Sequence, residues 1–435
     1  MLNTVIIVPN VNEVIRRGMP WSTFSIDFLN KLFVSGTAYS EMGLFWDSHC
    51  TERIIITPVN IPKVYIDYIC SVMKYDSLCQ IVSNYRMGSL SKWNPLFKEL
   101  SKKTDVISFY GASKEAYSFC ELVSKHTKCK INNDLPLKVD YGTALLYDSK
   151  SKFRNNIGDY SNLTPLHVVT NNSHIKSELY KYYKRNIPCM VKAEFGVGGY
   201  GNIQLKNFAQ GYECWLQSIE NGFEFAPYIP SGDIIIEELI HSKKQCCFSG
   251  FGYISEDFFC SSIGYVEEIR DSLGYYVGST NLSPEYVNMV EDITLGIGLI
   301  LAGKKYRGYF CVDFIQCSNG CIHILEINTR RCASNYIFDI IKRLKFNDNI
   351  AWYHRLGIPT RVTQKDYFFA DILEIFDSLN RELRYQYALP IQVSGLLHKD
   401  PYMGIIIFGE NNSIIKNCLN TLVSKLQLRG IILDV

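Results

Sequence analysis

The chain has little net charge and no run of one sign. Across 435 residues, 45 Lys and Arg face 43 Asp and Glu, a net of +2. That balance removes the electrostatic case for nucleic acid or an acidic membrane as a partner. No stretch approaches about 18 uninterrupted apolar residues, so no membrane-spanning helix is expected. The short apolar run near the N-terminus has neither the basic segment nor the cleavage site of a secretory leader. Internal repeats and low-complexity tracts are absent. The eight histidines fall into no spacing set, and His323, on an apolar-flanked strand, reads as structural. Cysteine is plentiful, but its count of 15 is odd and the residues are scattered through strand-like runs. Reduced thiols in a reducing, cytoplasmic setting fit better than a disulfide framework. Cys246-Cys247 reads as core.

What is present centres on the hairpin from Phe310 to Arg330. Asn319-Gly320 is the strongest two-residue turn signal, since both central positions of a type I′ turn need φ > 0. With that pair as the turn, Asp313 faces Glu326, and Asn328 follows two residues on along the same face. The other face pairs Phe314 with Leu325 and Val312 with Ile327 as core. In the same register Cys317 and Cys321 point to opposite faces. Two carboxylates side by side repel and call for a cation between them. Hard oxygen ligands without His or thiolate point to Mg²⁺ rather than zinc. The bland alternative is a solvated acidic face.

Upstream, CMVKAEFGVGGYGN from Cys189 reads as a short strand carrying Lys192, then a loop with Gly196, Gly198, Gly199 and Gly201. Glycines let backbone N–H groups surround phosphate oxygens, and a strand lysine adds fixed positive charge. No Gly-Lys-Ser/Thr ends the loop, so it is not a Walker A loop. Alone, such a loop is an ordinary turn. Asp233 to Ile240 reads as a buried strand ending in Glu237 and Glu238. An end of that kind can offer adenine backbone contacts and ribose a carboxylate.

The order of strand lysine, glycine loop, acidic hinge and Asp…Glu-x-Asn-x-Arg resembles the ATP-grasp superfamily over residues 147–344. The resemblance implies ATP and Mg²⁺ held between two α+β subdomains, and ligation of a carboxylate to an amine through an acyl-phosphate. It implies that Asp313, Glu326 and Asn328 hold Mg²⁺ and that Arg330 meets phosphate or acyl-phosphate. Lys192 would contact the α/β-phosphates, and the loop with Gly198, Gly199, Tyr200, Gly201 and Asn202 would cover the γ-phosphate. Glu237, Glu238, Leu239 and Ile240 would form the adenine-side hinge. Lys150 matches the lysine that usually opens the domain, with Lys152 as competitor. A narrower likeness, through Ile6–Asn10 and Ile56–Ile69, is to peptide ligases of the pheganomycin-biosynthesis type, which join an amino-acid-like unit to a peptide. Their loop usually carries a basic residue where this chain has Tyr200, and Arg331-Cys332-Ala333-Ser334-Asn335 replaces their glycine/threonine-rich run. Arg270 falls in their substrate-facing segment and is a candidate carboxylate clamp or a plain surface arginine.

The expected fold is mixed α/β and α+β in three parts. Residues 1–148 form a pre-ATP-grasp α/β domain, 149–350 the two-subdomain ATP-grasp core, and 351–435 a small C-terminal α+β module. Helices are expected over Ser113–Ser124, Ser283–Ala302, Asn335–Leu344 and Asn412–Leu428. The expected activity is amide formation in peptide natural-product biosynthesis on small amino acid or peptide substrates, by analogy as a homodimer. Phosphorylation or carboxylation by the same fold, or a nucleotide-binding regulatory protein with a degraded site, remain as alternatives. No residue stands out as general base.

Overall fold

The computed structural model describes residues 4–16, 40–47, 49–58, 60–82, 105–127, 132–196, 199, 201–223, 232–240, 246–272, 274–347, 349–363, 369–382 and 386–435. Apolar β-branched runs near the N-terminus build a wholly parallel sheet. Its strands are β1 (Thr4–Val8), β2 (Glu52–Thr57), β3 (Ser77–Val82), β4 (Val106–Phe109) and β5 (Asn132–Asn133), in the order β3-β2-β1-β4-β5. Parallel sheets are covered on both faces, which is why β1 is buried along its whole length. The order reverses between β1 and β4, the position where α/β sheets open a crevice at their carboxyl ends. Ser113 Oγ accepts from the Ala116 N–H at 3.1 Å, the cap expected for the helix Lys114–Thr127.

A second, antiparallel sheet joins β6 (His167–Thr170), β7 (Cys189–Ala193), β8 (Asn202–Leu205) and β9 (Ile234–Glu238) in the order β6-β9-β7-β8. The glycine loop is the β7–β8 turn. The third sheet has nine strands. They are β10 (Cys247–Ile254), β11 (Cys260–Arg270), β12 (Tyr276–Asn281), β13 (Gly308–Gln316), β14 (Ile322–Asn328), β15 (Ala351–Val362), β16 (Gln386–Pro390), β17 (Tyr402–Gly409) and β18 (Ile431–Leu433). The path runs β14-β13-β10-β11-β12-β15-β17-β16, with β18 on β15. The last stretch of chain therefore extends the central sheet instead of closing a sheet of its own.

The helix Pro284–Gly303 begins with Pro at its first turn, where the missing N–H costs nothing. It is long and apolar enough in composition to cross a membrane, yet Val290, Ile293, Ile297 and Leu301 bury themselves against the sheet. The helices Asn335–Leu344 and Asn412–Leu428 form over the expected residues. Among the described residues, all 14 cysteines are free thiols.

The hairpin of β13 and β14 shows one correction. Its turn is centred half a residue earlier than expected, which slips the pairing next to it by one residue. The Gly320 N–H donates to Cys317 O at 3.0 Å, the Cys317 N–H to Cys321 O at 2.7 Å, and Gly320 takes φ 90°. Only Gly320 is left-handed here, so this is a three-residue connection and not the two-residue type I′ turn. Cys317 and Cys321 accordingly meet across the tip. A bulge at Leu325 then absorbs the slip: Phe314 pairs with Ile324, but Asp313 pairs with Glu326, Val312 with Ile327 and Cys311 with Asn328. The two one-residue errors cancel before the carboxylates are reached.

Candidate active site

Adjacent strands of one sheet set the site. Asp313 on β13 lies opposite Glu326 on β14 and, on its other side, opposite Ser249 on β10. Ser249 Oγ stands 2.7 Å from Asp313 Oδ1 and 2.7 Å from Glu268 Oε1 on β11. A hydroxyl has one proton to donate, so it cannot satisfy both carboxylates. Burial, then Glu268 and Glu326, push Asp313 up to about 8. That is the mark of a site with surplus negative charge. Asn328 Nδ2 donates to Asp313 Oδ2 at 2.8 Å. Among the described residues no three His, Cys, Asp or Glu side chains form a ready metal cage. Mg²⁺ asks for less: one or two carboxylates, with phosphates and water completing its shell. Asp313, Glu326 and the Asn328 amide fit that demand.

The cations converge on the same carboxylates. Lys150 is buried, its Nζ 2.9 Å from Glu326 Oε2. Burial works to raise Glu326, but Lys150, then Lys192, outweigh it and hold this carboxyl well below the usual range. Lys152 instead reaches Glu194 at 2.9 Å with half its side chain exposed, so of the two expected candidates Lys150 faces the carboxylates. Lys192 is buried on β7 and paired with Glu237. Burial pushes Lys192 below its ordinary value against the pull of Glu237. Arg154 also holds Glu237. Glu237 therefore stands behind Lys192, away from any surface a ribose could use.

At the hinge, the Glu238 N–H donates to Leu166 O and the Leu239 N–H to Pro188 O, both at 3.0 Å. In the glycine loop, Gly199 takes φ +90° and Gly201 φ 81°, values that favour glycine. The Ala193 N–H donates to Gly201 O, and the Asn202 N–H to Gly199 O. A Cβ on Gly199 would lie 3.1 Å from the Tyr275 ring, so the loop meets the β11–β12 turn over the site. Gly198 and Tyr200 lie outside the described residues.

Arg330 and Arg270 both line a cavity of about 70 Å³ beside Asp313, Glu326 and Asn328. Arg270 donates to Gly274 O at 2.9 Å and pairs with Glu268. Arg330 donates to Tyr110 Oη at 3.1 Å and to Asn328 Oδ1. The N-terminal sheet grips this arginine. Gly111 forms a bridge with Arg330, and the Arg331 N–H donates to Tyr110 O at 2.8 Å. Asn10, at the end of β1, accepts from the Tyr110 N–H at 3.0 Å and donates to Gly111 O at 2.8 Å. The switch-point crevice is thus filled by the arginine turn.

Several of these residues escaped the sequence. Glu268 had a signal, since it lies two residues before Arg270 and so shares its strand face. Asn10, Tyr110, Arg154 and Ser249 carried none.

No family model matches the chain, and no curated protein is similar to it in sequence. Solved structures are similar over nearly its whole length. The biotin carboxylase domain of Hydrogenobacter thermophilus 2-oxoglutarate carboxylase, in complex with MgADP, ADP and bicarbonate, superposes with TM-score 0.59 at 13% identity, covering 100% of this chain and 91% of that one. An Aspergillus clavatus N5-carboxyaminoimidazole synthase, with ADP and 5-aminoimidazole ribonucleotide, gives 0.57 at 11% identity over 98% and 99%. Campylobacter jejuni biotin carboxylase gives 0.55 at 12% over 100% and 92%. The fold is that of the ATP-grasp proteins: a parallel N-terminal sheet followed by two antiparallel sheets.

Proposed function

We propose that the chain is an ATP- and Mg²⁺-dependent ligase. It joins the carboxylate of a small amino-acid-like molecule to an amine through an acyl-phosphate, releasing ADP and phosphate. The observation that carries this reading is the meeting of Asp313, Glu326, Asn328 and Arg330 around one small cavity, with Lys150 bonded to Glu326 and Lys192 near enough to lower that carboxyl. The structural neighbours crystallised with ADP, MgADP or bicarbonate support the nucleotide part.

Asp313, Glu326 and Asn328 would hold Mg²⁺, which would supply positive charge to the phosphates; the substrate carboxylate attacks the γ-phosphate and ADP leaves. Lys192, kept in place by Glu237, supplies a fixed ammonium for the α/β-phosphates. Lys150 can exchange Glu326 for a phosphate oxygen within its 2.9 Å reach. The loop at Gly199, seated against Tyr275, excludes water from an acyl-phosphate that water would destroy. Arg330, fixed by Tyr110 and Asn328, meets the oxyanion formed when the amine adds. The amine nitrogen bonds to the acyl carbon, the phosphate oxygen leaves with its electron pair, and the amine proton departs with phosphate.

Natural-product peptide synthesis and homodimer formation belong to the same proposal. The carboxylase neighbours favour a second reading, in which bicarbonate is the carboxylate. The test measures ADP and phosphate release from Mg-ATP with pooled amino acids and short peptides, with bicarbonate alone, and with Glu326→Ala. Release requiring both carboxylate and amine, and lost in the variant, supports ligation. Release requiring bicarbonate supports carboxylation. Identical substrate-independent traces from wild type and variant sink both.

A further inference from the structure

Behind the cavity wall runs a chain of polar groups that the mechanism above does not use. Tyr276 Oη lies 2.6 Å from Ser334 Oγ, and Ser334 Oγ 2.8 Å from Ser279 Oγ. Ser279 Oγ lies 3.1 Å from His354 Nδ1, and His354 Nε2 2.7 Å from Tyr336 Oη. Tyr276 and Ser334 line the cavity with Arg330 and Arg270. Ser279, His354 and Tyr336 are wholly buried. We propose that Tyr276 and Ser334 select the carboxylate-bearing substrate by reading a polar group next to its carboxylate, with Ser279 and His354 as the positioning residues that orient their hydroxyls. The inference rests on the ligase reading and gives it a substrate class: small polar carboxylates, held at the acid end by the two arginines.

The cost of the arrangement argues for a use. Burying such groups is unfavourable unless every member is satisfied, and an apolar filling would carry no such demand. Ser334 makes a specific sacrifice. It occupies the N-cap position of the helix Asn335–Leu344, yet its side chain makes no cap bond. A capping bond would stabilise the helix start, and Ser334 forgoes it to join Tyr276 and Ser279. The members stand on rigid supports, with Ser279 on β12 opposite His354 on β15 and Tyr336 on the helix.

His354 gives the chain a direction. Burial pushes its imidazole down to about 3, so at working pH it is neutral, with one N–H and one lone pair. Both ring nitrogens are engaged, and the tautomer decides which way the hydroxyl protons run. A single tautomer therefore fixes what the cavity-lining hydroxyls present to a substrate.

The first test needs no substrate. In ¹⁵N-histidine-labelled full-length protein, with His354→Gln to assign the signal, the two ring nitrogens should report one neutral tautomer unchanged from pH 5 to 8. Tyr276→Phe and Ser334→Ala should each shift that signal. Titration near the ordinary value of about 6.5, a tautomer mixture, or indifference to both substitutions overturns the inference. The second test uses hydroxylamine as the amine with pooled amino acids and Mg-ATP, reading hydroxamates by mass. Tyr276→Phe should raise KM for the carboxylate that reacts by roughly twofold to tenfold, the net weight of one hydrogen bond to a neutral polar partner. KM for ATP should stay unchanged. His354→Gln should shift carboxylate KM in the same direction. Hydroxamate formation by the wild type with KM unaltered in both variants overturns this proposal. A wild type that turns over no substrate while the labelled histidine behaves as expected overturns the ligase reading instead.

Discussion

Arg331 is the residue whose loss the structure prices most directly. It is fully buried, with Nη2 3.0 Å from Asp47 Oδ2, 3.2 Å from Asp134 Oδ2 and 2.8 Å from Ser108 Oγ. Its Nε donates to Phe109 O at 3.2 Å, and the Tyr309 ring centroid lies 3.6 Å from its guanidinium carbon. Burial works to raise Asp47, but Arg331 outweighs it and the carboxyl stays below its ordinary value. Asp134 is pushed by burial up to about 6 even with Arg331 beside it. Arg331→Met keeps an apolar stem and leaves both carboxylates buried without their cation. Removing one partner of a buried pair costs about 3–5 kcal/mol, and with two acceptors abandoned the upper end is expected. Urea unfolding should show a lower midpoint at unchanged slope. The sign in pH follows from linkage. In the variant both carboxyls titrate above their ordinary value of 3.8, so the folded state binds more protons than the unfolded one between those limits. Stability is then lost as pH rises, and the deficit against wild type is largest near pH 7 and shrinks towards pH 4. Adding Asp134→Asn should recover part of it as a measurable coupling. A loss below about 1 kcal/mol at pH 7, or one indifferent to pH, would refute the reasoning.

The remaining predictions need shorter arguments. Lys150→Ala should weaken nucleotide-dependent turnover far more than Lys152→Ala, since Lys150 reaches Glu326 while Lys152 is half exposed on Glu194; equal losses in ADP release would contradict the placement. In Gly111→Ala the new Cβ would lie 2.8 Å from Arg330 Cβ, so kcat should fall with about 1–3 kcal/mol of stability; an unaltered kcat would count against the role proposed for the arginine turn. Glu41 is pushed by burial up to about 7 while accepting from the N–H groups of Val393 and Ser394. Its folded value is above its ordinary one, so its contribution is full below about pH 4.5 and declines as pH rises through 7, by roughly 3 kcal/mol. Comparing wild type with Glu41→Leu in denaturant from pH 5 to 8 should show the wild type losing ground to the variant, and parallel curves would count against the burial argument.

How far the sequence could reach depends on which interactions were local. The helices Asn335–Leu344 and Asn412–Leu428 were legible because period and punctuation are written within one element. The facing of Asp313 and Glu326 was legible too, though by compensation. A type I′ turn was assumed where Gly320 alone is left-handed, and the Leu325 bulge restored the register. A bulge leaves almost no trace in composition, so the pairing of Asp313 with Glu326 rests on a feature that local pattern does not encode. The third carboxylate marks a different boundary. Glu268 meets Asp313 only because β10 inserts Ser249 between β11 and β13, and strand order between distant segments is not encoded in local pattern. The same holds for the grip of Asn10, Tyr110 and Gly111 on Arg330. The arginine was readable from its motif, but what aims it comes from residues more than two hundred positions away and from a crevice that exists only once the parallel sheet has formed. A motif thus names the groups proposed to do chemistry, while the groups that set their charge and direction are fixed by topology. In this chain that second set, Ser249, Glu268, Tyr110 and His354, is where substitutions should change activity without touching any recognisable motif.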